Sequence, residues 1–140
     1  MNRNSMAASV SATSSEPLPI VLIVEDDVLI RAAAAQHLRG CNLVVLEAVD
    51  VEQALDLLRA EQSVQVVFAD VRLPGSQDGL DLMRIVRRDH PEIKVLLTSG
   101  VLKTDEATVE GITLLRKPYF LFEVERHIRE LLSAKTDEAD

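Results

Sequence analysis

The chain has 140 residues, 47% of them hydrophobic and 27% charged, with a formal net charge of −8. This is enough apolar material for one packed domain and too little chain for two, and an acidic balance argues against nucleic acid as a partner, because phosphate binding needs a basic face. Cys41 is the only cysteine, which excludes an internal disulfide. No apolar run approaches the ~20 residues of a membrane-spanning helix, so no membrane association and a cytoplasmic location are expected.

In chain order, residues 1–19, MNRNSMAASVSATSSEPLP, are rich in Ser, Ala and Thr, lack the apolar core of a signal peptide, and read as a flexible N-terminal tail. Ile20 to Val24 is a continuous apolar run and predicts a strand, followed by a helix over Val28–Leu38 that stops near Gly40. Leu43–Leu46 is strand-like, and Val51–Ala60 is helical, with Ala54, Leu57 and Leu58 at helix spacing. A third strand is expected at Val64–Ala69 and a helix at Gly79–Arg88, where Leu80, Met83, Val86 and Arg87 divide an apolar from a charged side. Ile93–Leu97 is a fourth strand, Lys103–Glu110 a short helix, Ile112–Leu115 a fifth strand and Tyr119–Leu132 a last helix. The folded domain is placed at residues 20–134, with KTDEAD, residues 135–140, as a polar C-terminal tail.

Continuous apolar strands that alternate with helices imply a parallel sheet covered on both faces, hence an α/β, doubly wound (βα)5 domain with right-handed crossovers. In such sheets binding sites lie beyond the carboxyl ends of the strands. Strand one ends in Glu25, Asp26 and Asp27, strand three in Asp70, strand four in Thr98 and Ser99, and strand five in Lys117-Pro118. Carboxylates crowded at one sheet edge repel one another. A divalent cation between them removes that repulsion, and an oxygen-only donor set suits Mg²⁺. With one carboxylate as nucleophile and a lysine and a hydroxyl to meet the oxygens of a transferring group, the chemistry indicated is phosphoryl transfer onto an aspartate.

The set VEDD, FADVRLPG, TSG and RKP, in this order and spacing, resembles the receiver domain of two-component response regulators over about Ile20 to Leu132. The resemblance implies a CheY-like, flavodoxin-like five-stranded parallel sheet of order 2-1-3-4-5 with helices on both faces. It implies Asp70 as phosphoacceptor. Mg²⁺ would be held by Asp26, Glu25, Asp70 and the backbone carbonyl of Arg72, with Glu25 acting directly or through water. Thr98 would hydrogen-bond a phosphoryl oxygen, Lys117 would pair first with Asp70 and then with the phosphoryl group, and the Lys117-Pro118 bond would be cis. The phosphoryl donor would be a sensor histidine kinase or a histidine phosphotransfer protein. The output would be a downstream protein target or onward relay, from a stand-alone domain that is a monomer or a phosphorylation-dependent dimer. Such a protein catalyses its own aspartyl phosphorylation and dephosphorylation and is a signalling switch rather than a conventional enzyme, its switching expressed in the helix at 103–110 and the fifth strand.

Two positions depart from the family pattern. Leu114 stands where many receivers carry a Tyr or Phe that rotates inward, and the loop Leu73–Gly79 is one residue longer than in the chemotaxis member. The alternative is a phosphorylation-independent interaction module with a relic site. A flavin- or nucleotide-binding flavodoxin-like protein would need a phosphate loop after strand one, where this chain has EDD. An aspartyl phosphatase would carry a second Asp two residues after the nucleophile, where Arg72 stands. Among the remaining residues, Asp27 reads as a helix cap, Asp78-Gly79 as turn and helix-start chemistry, and Ala32–Ala35 as helix filler with docking nearby. His37, His90 and His127 show no metal spacing. His127, in step with Val124, Ile128 and Leu131, reads as a packed or rim residue, and Cys41 as a small buried one.

Overall fold

The computed structural model describes residues 17–100 and 112–138. The expected helix at 103–110 and most of the expected N-terminal tail lie outside the described residues. Five strands, β1 (Ile20–Val24), β2 (Val44–Ala48), β3 (Val64–Asp70), β4 (Lys94–Ser99) and β5 (Ile112–Arg116), form one parallel sheet of order β2-β1-β3-β4-β5. Four helices, α1 (Val28–Arg39), α2 (Val51–Ala60), α3 (Gly79–Asp89) and α4 (Leu121–Glu138), complete the described chain. The expected flavodoxin-like α/β fold is the one observed.

Side chains that alternate along each strand build two separate cores. Leu22, Val24, Val67, Ala69, Val95 and Leu97 face one side, where Ala54 and Leu58 of α2 and Leu82, Met83 and Val86 of α3 cover them. Val21, Ile23, Val66, Phe68, Leu96 and Leu115 face the other, under Ala34, Ala35 and Leu38 of α1 and Val124 and Ile128 of α4. A strand buried on both faces must be apolar at every position, which is why β1 reads IVLIV with no alternation in the sequence. One irregularity interrupts the β1–β3 ladder: Ile20 pairs with Val64 but Val21 with Val66, so Gln65 is bulged.

The helix starts are set by side chains. Asp27 accepts N–H bonds from Leu29 (2.9 Å) and Ile30 (3.0 Å) at the head of α1, and Asp50 accepts from Gln53 N at the head of α2. At α3, Asp78 and Asp81 form a reciprocal capping box. The four-alanine stretch divides by period: Ala34 and Ala35 are buried against the sheet, and Ala32 and Ala33 are exposed.

Several strands run past their apolar stretches. β3 includes Asp70, and β4 includes Thr98 and Ser99, because the ladder continues through Val71 N–H to Thr98 O (2.9 Å) and Lys117 N–H to Ser99 O (3.1 Å). β2 lies one to two residues later than the spacing predicts. The last helix begins at Leu121 and continues to Glu138, through residues expected as a polar tail. Hydrophobic periodicity marks only the packed part of a helix, whereas Lys, Glu and Ala propagate the backbone beyond it. Cys41, expected to be buried, is half-buried at the end of α1. It follows the last packed turn, and its thiol lies beside Glu125 rather than in the core.

Candidate functional site

The register of the sheet assembles the site. Val24 pairs with Ala69 and Asp70 with Thr98, so Glu25, Asp70 and Thr98 form a row across the ends of β1, β3 and β4. Ser99 pairs with Arg116, which brings the next residue, Lys117, to the same edge. The Lys117-Pro118 peptide is cis, and Lys117 Nζ lies 2.5 Å from Asp70 Oδ2. Asp70 Oδ1 accepts the Arg72 N–H at 3.0 Å. Both Asp70 oxygens are therefore fixed, one by a cation and one by the backbone.

Glu25 is 6% exposed, Asp70 7%, Thr98 2% and Ser99 3%, among the few buried polar groups of the described residues. Burial pushes the Glu25 carboxyl up to about 7, with Asp70 and Asp26 adding to the effect against the opposing influence of the Asp27 N–H and Lys117. The Asp27 N–H donates to Glu25 Oε2 at 3.0 Å. A pair of buried acids whose neighbour resists ionisation is the environment a divalent cation relieves. Glu25 and Asp70 with exposed Asp26 and backbone oxygens are hard oxygen donors, and this set fits Mg²⁺.

Of the residues singled out from sequence, Glu25, Asp70, Thr98 and Lys117 come together. Asp26 stands on the exposed rim of the same loop, and Arg72 reaches the site through its own N–H, its side chain exposed. Leu114 is half-buried against the core that α2 and α3 cover.

Three further residues have places at the site that the sequence reading did not assign. Arg31 donates from Nη1 to the Glu25 carbonyl (2.8 Å) and from Nε to Glu47 Oε1 (3.1 Å), anchoring the acidic loop to β2. Tyr119 packs edge-on against Phe68, with ring centroids 6.3 Å apart, and joins Glu25, Asp70 and Thr98 around a small hollow. Gly79 approaches so closely that a Cβ there would lie 2.3 Å from the Asp70 carbonyl oxygen and 2.7 Å from Val71 Cα. Only the Asp-Gly dipeptide at 78–79 hinted at the last of these.

Beside the site, α1 exposes Val28, Leu29 and Ile30, and the segment after β5 exposes Phe120 and Phe122, stacked with centroids 5.4 Å apart. Ile30, Ala33, Pro118 and Leu121 line an open apolar hollow of about 520 Å³ between them. No helix of the described residues is long and apolar enough to cross a membrane.

Residues 21–119 match the family model described as the response regulator receiver domain. The chain is 29% identical over 128 residues to the sensor kinase CckA of Brucella abortus, a match that covers 86% of this chain and 13% of that protein. It is 36% identical over 81 residues to the nitrogen assimilation regulatory protein NtrX of Azorhizobium caulinodans, covering 57% of this chain and 18% of the relative. The chain thus spans less than a quarter of the length of either protein. Among solved structures it resembles the signal receiver domain of an HD domain-containing protein from Pseudomonas fluorescens Pf-5, with a TM-score of 0.76, 26% identity, and coverage of 86% of this chain and 98% of that one.

Proposed function

Since the chain belongs to the response regulator receiver domain family, we propose that it is a signalling switch of a two-component system that accepts a phosphoryl group on Asp70 from a protein phosphohistidine. The observation that carries this reading is the buried Asp70 carboxylate, held by Lys117 on one oxygen and by a backbone N–H on the other, in one row with Glu25 and Thr98.

An Asp70 oxygen attacks phosphorus as the N–P bond of the donor breaks. The electron pair of that bond stays on the donor imidazole nitrogen, and the product is an acyl phosphate. Lys117 leaves its ion pair with the carboxylate and follows the charge onto the phosphoryl oxygens. The Thr98 hydroxyl, one strand away, donates to another of them. Arg31 and the Asp27 N–H hold the Glu25 loop in place during the exchange. Glu25, Asp26, Asp70 and the Arg72 carbonyl would hold Mg²⁺, which when bound neutralises the charge gathered between these acids and the incoming phosphate.

The donor is a sensor histidine kinase or a histidine phosphotransfer protein. It docks over the apolar hollow of Ile30, Ala33, Pro118 and Leu121, which Lys117 also lines, with the exposed Leu29 of α1 and Phe122 of α4 as further apolar contacts, a surface that suits the helical bundle of a histidine donor domain. The output is a change in protein binding or onward relay, through an equilibrium that the acyl phosphate biases.

The test is exposure to acetyl phosphate with and without Mg²⁺, read by intact mass. A gain of one phosphoryl group by the wild type in Mg²⁺, absent in Asp70→Asn, is expected. If neither acetyl phosphate nor beryllofluoride modifies the wild type, the reading fails in favour of a constitutive binding module.

A further inference from the structure

The chain leaves α1 through Gly40 and Cys41, with the Cys41 N–H bonded to Leu38 O at 2.9 Å. His37 precedes Cys41 by four residues, the spacing that brings side chains together along one side of a helical turn. α4 supplies a third group. His37 Nε2 lies 3.4 Å from Glu125 Oε1, the Cys41 thiol turns to the same carboxylate, and ligand atoms of all three residues lie within 4.8 Å of one another. All three residues are half-buried. The other Glu125 oxygen, Oε2, accepts from Arg129 Nε at 3.2 Å, and Arg129 Nη2 donates to the Cys41 carbonyl at 2.8 Å.

We propose that His37, Cys41 and Glu125 form a binding site for a zinc-class divalent cation, separate from the acidic strand ends, with its fourth coordination position open to water or an outside ligand.

The donor set decides the metal. An imidazole nitrogen, a thiolate and one carboxylate oxygen suit Zn²⁺, whereas Mg²⁺ and Ca²⁺ take oxygen. Bonds of ~2.0–2.3 Å in a tetrahedron place ligand atoms about 3.3–3.8 Å apart. The His37–Glu125 separation of 3.4 Å falls in that range and is longer than a good hydrogen bond. The thiol closes the remaining gap by a small rotation at a half-buried position.

Arg129 opposes the cation by its charge but binds Oε2 rather than the oxygen that faces His37. It therefore orients the carboxylate, as hydrogen-bonded outer partners of ligating carboxylates do. A thiolate and a carboxylate offset the charge of the ion. Burial and the neighbouring Glu125 push the Cys41 thiol up, so the metal must displace a proton, and affinity should rise with pH. The site sits at the far end of α1 from its Asp27 cap, ~15 Å along the axis at 1.5 Å per residue. Metal there would pin α1 to α4, the two helices that share one face of the sheet.

The test uses the full reduced chain in saturating Mg²⁺, which occupies the strand-end acids. Zinc chloride is titrated calorimetrically, and cobalt(II) by absorbance. One zinc per chain, proton release at pH 7 and a near-ultraviolet thiolate-to-cobalt band are expected. Cys41→Ser and His37→Gln should each weaken zinc binding by on the order of tenfold or more, while modification by acetyl phosphate is unchanged. Absence of the thiolate band in the wild type overturns the proposal whether or not the variants fold. So does zinc binding of equal strength in both variants.

Discussion

Lys117 and Asp70 are each the other's nearest opposite charge at the sheet edge. Removing the lysine takes away a donor that should matter more once charge moves onto the phosphoryl oxygens than it does before. Lys117→Ala should slow modification by acetyl phosphate by about 10²-fold or more, the scale for loss of one such donor, with Asp70 still the modified residue by peptide mapping. Glu25 makes a pH prediction. Its carboxyl is raised from 4.5 to about 7 in the fold. A raised acid favours the folded state while protonated, so its contribution is present below pH 4.5 and is lost as pH climbs through about 7. In EDTA, urea unfolding should therefore show wild type losing stability relative to Glu25→Gln between pH 5 and pH 8. Mg²⁺ should reverse the difference at pH 8, because the ion needs the charged carboxylate. Equal slopes for the two proteins would refute the assignment.

At the scale of elements, α3 matters most to the site, because its first residue lies against the backbone of Asp70. Gly79 N donates to Val71 O at 2.8 Å, and no side chain fits between them. Gly79→Ala should destabilise the fold by ~1–3 kcal/mol, the scale of overpacking, and should also slow modification of Asp70 by shifting its carbonyl. Asp78→Ala breaks only the cap of the same helix and should cost about 1 kcal/mol with little effect on the rate. Urea denaturation with the acetyl phosphate assay separates the two. The contrast explains why the helix was legible and its contact was not. Leu80, Met83 and Val86 announce a helix by spacing, but the distance between Gly79 and Asp70 depends on how α3 lies on the sheet.

For the whole molecule, the proposed docking surface of α1 and the β5–α4 segment makes a prediction about donors. Leu29, 77% exposed, and Phe122, 58% exposed, lie outside both cores. Leu29→Glu and Phe122→Glu should leave stability and modification by acetyl phosphate within about twofold, since exposed substitutions rarely exceed ~0.5 kcal/mol. They should lower phosphotransfer from a histidine phosphotransfer domain by on the order of tenfold or more, the loss expected of an interface anchor. Equal transfer rates for wild type and both variants would remove this surface as the docking site.

What the sequence determined by itself is whatever is written in short-range pattern. Runs such as IVLIV declare strands buried on both faces, spaced leucines declare helices, and Asp27 and Asp78 declare where helices begin. The gathering of the strand-end groups was legible for the same reason, because a parallel sheet brings those ends to one edge whatever its details. Tertiary structure alone decided which of those groups meet and how. The register fixed Glu25, Asp70 and Thr98 in one row and left Asp26 on the rim. Packing of the helices brought Gly79 onto the Asp70 backbone, Arg31 onto the Glu25 carbonyl, and Glu125 onto His37 and Cys41 across more than eighty residues of chain. Histidine spacing along the sequence gave no sign of that last cluster, since its third member comes from another helix. Contacts between elements depend on the angle and height at which helices settle on a sheet, and those are set by the volumes of all the side chains between them.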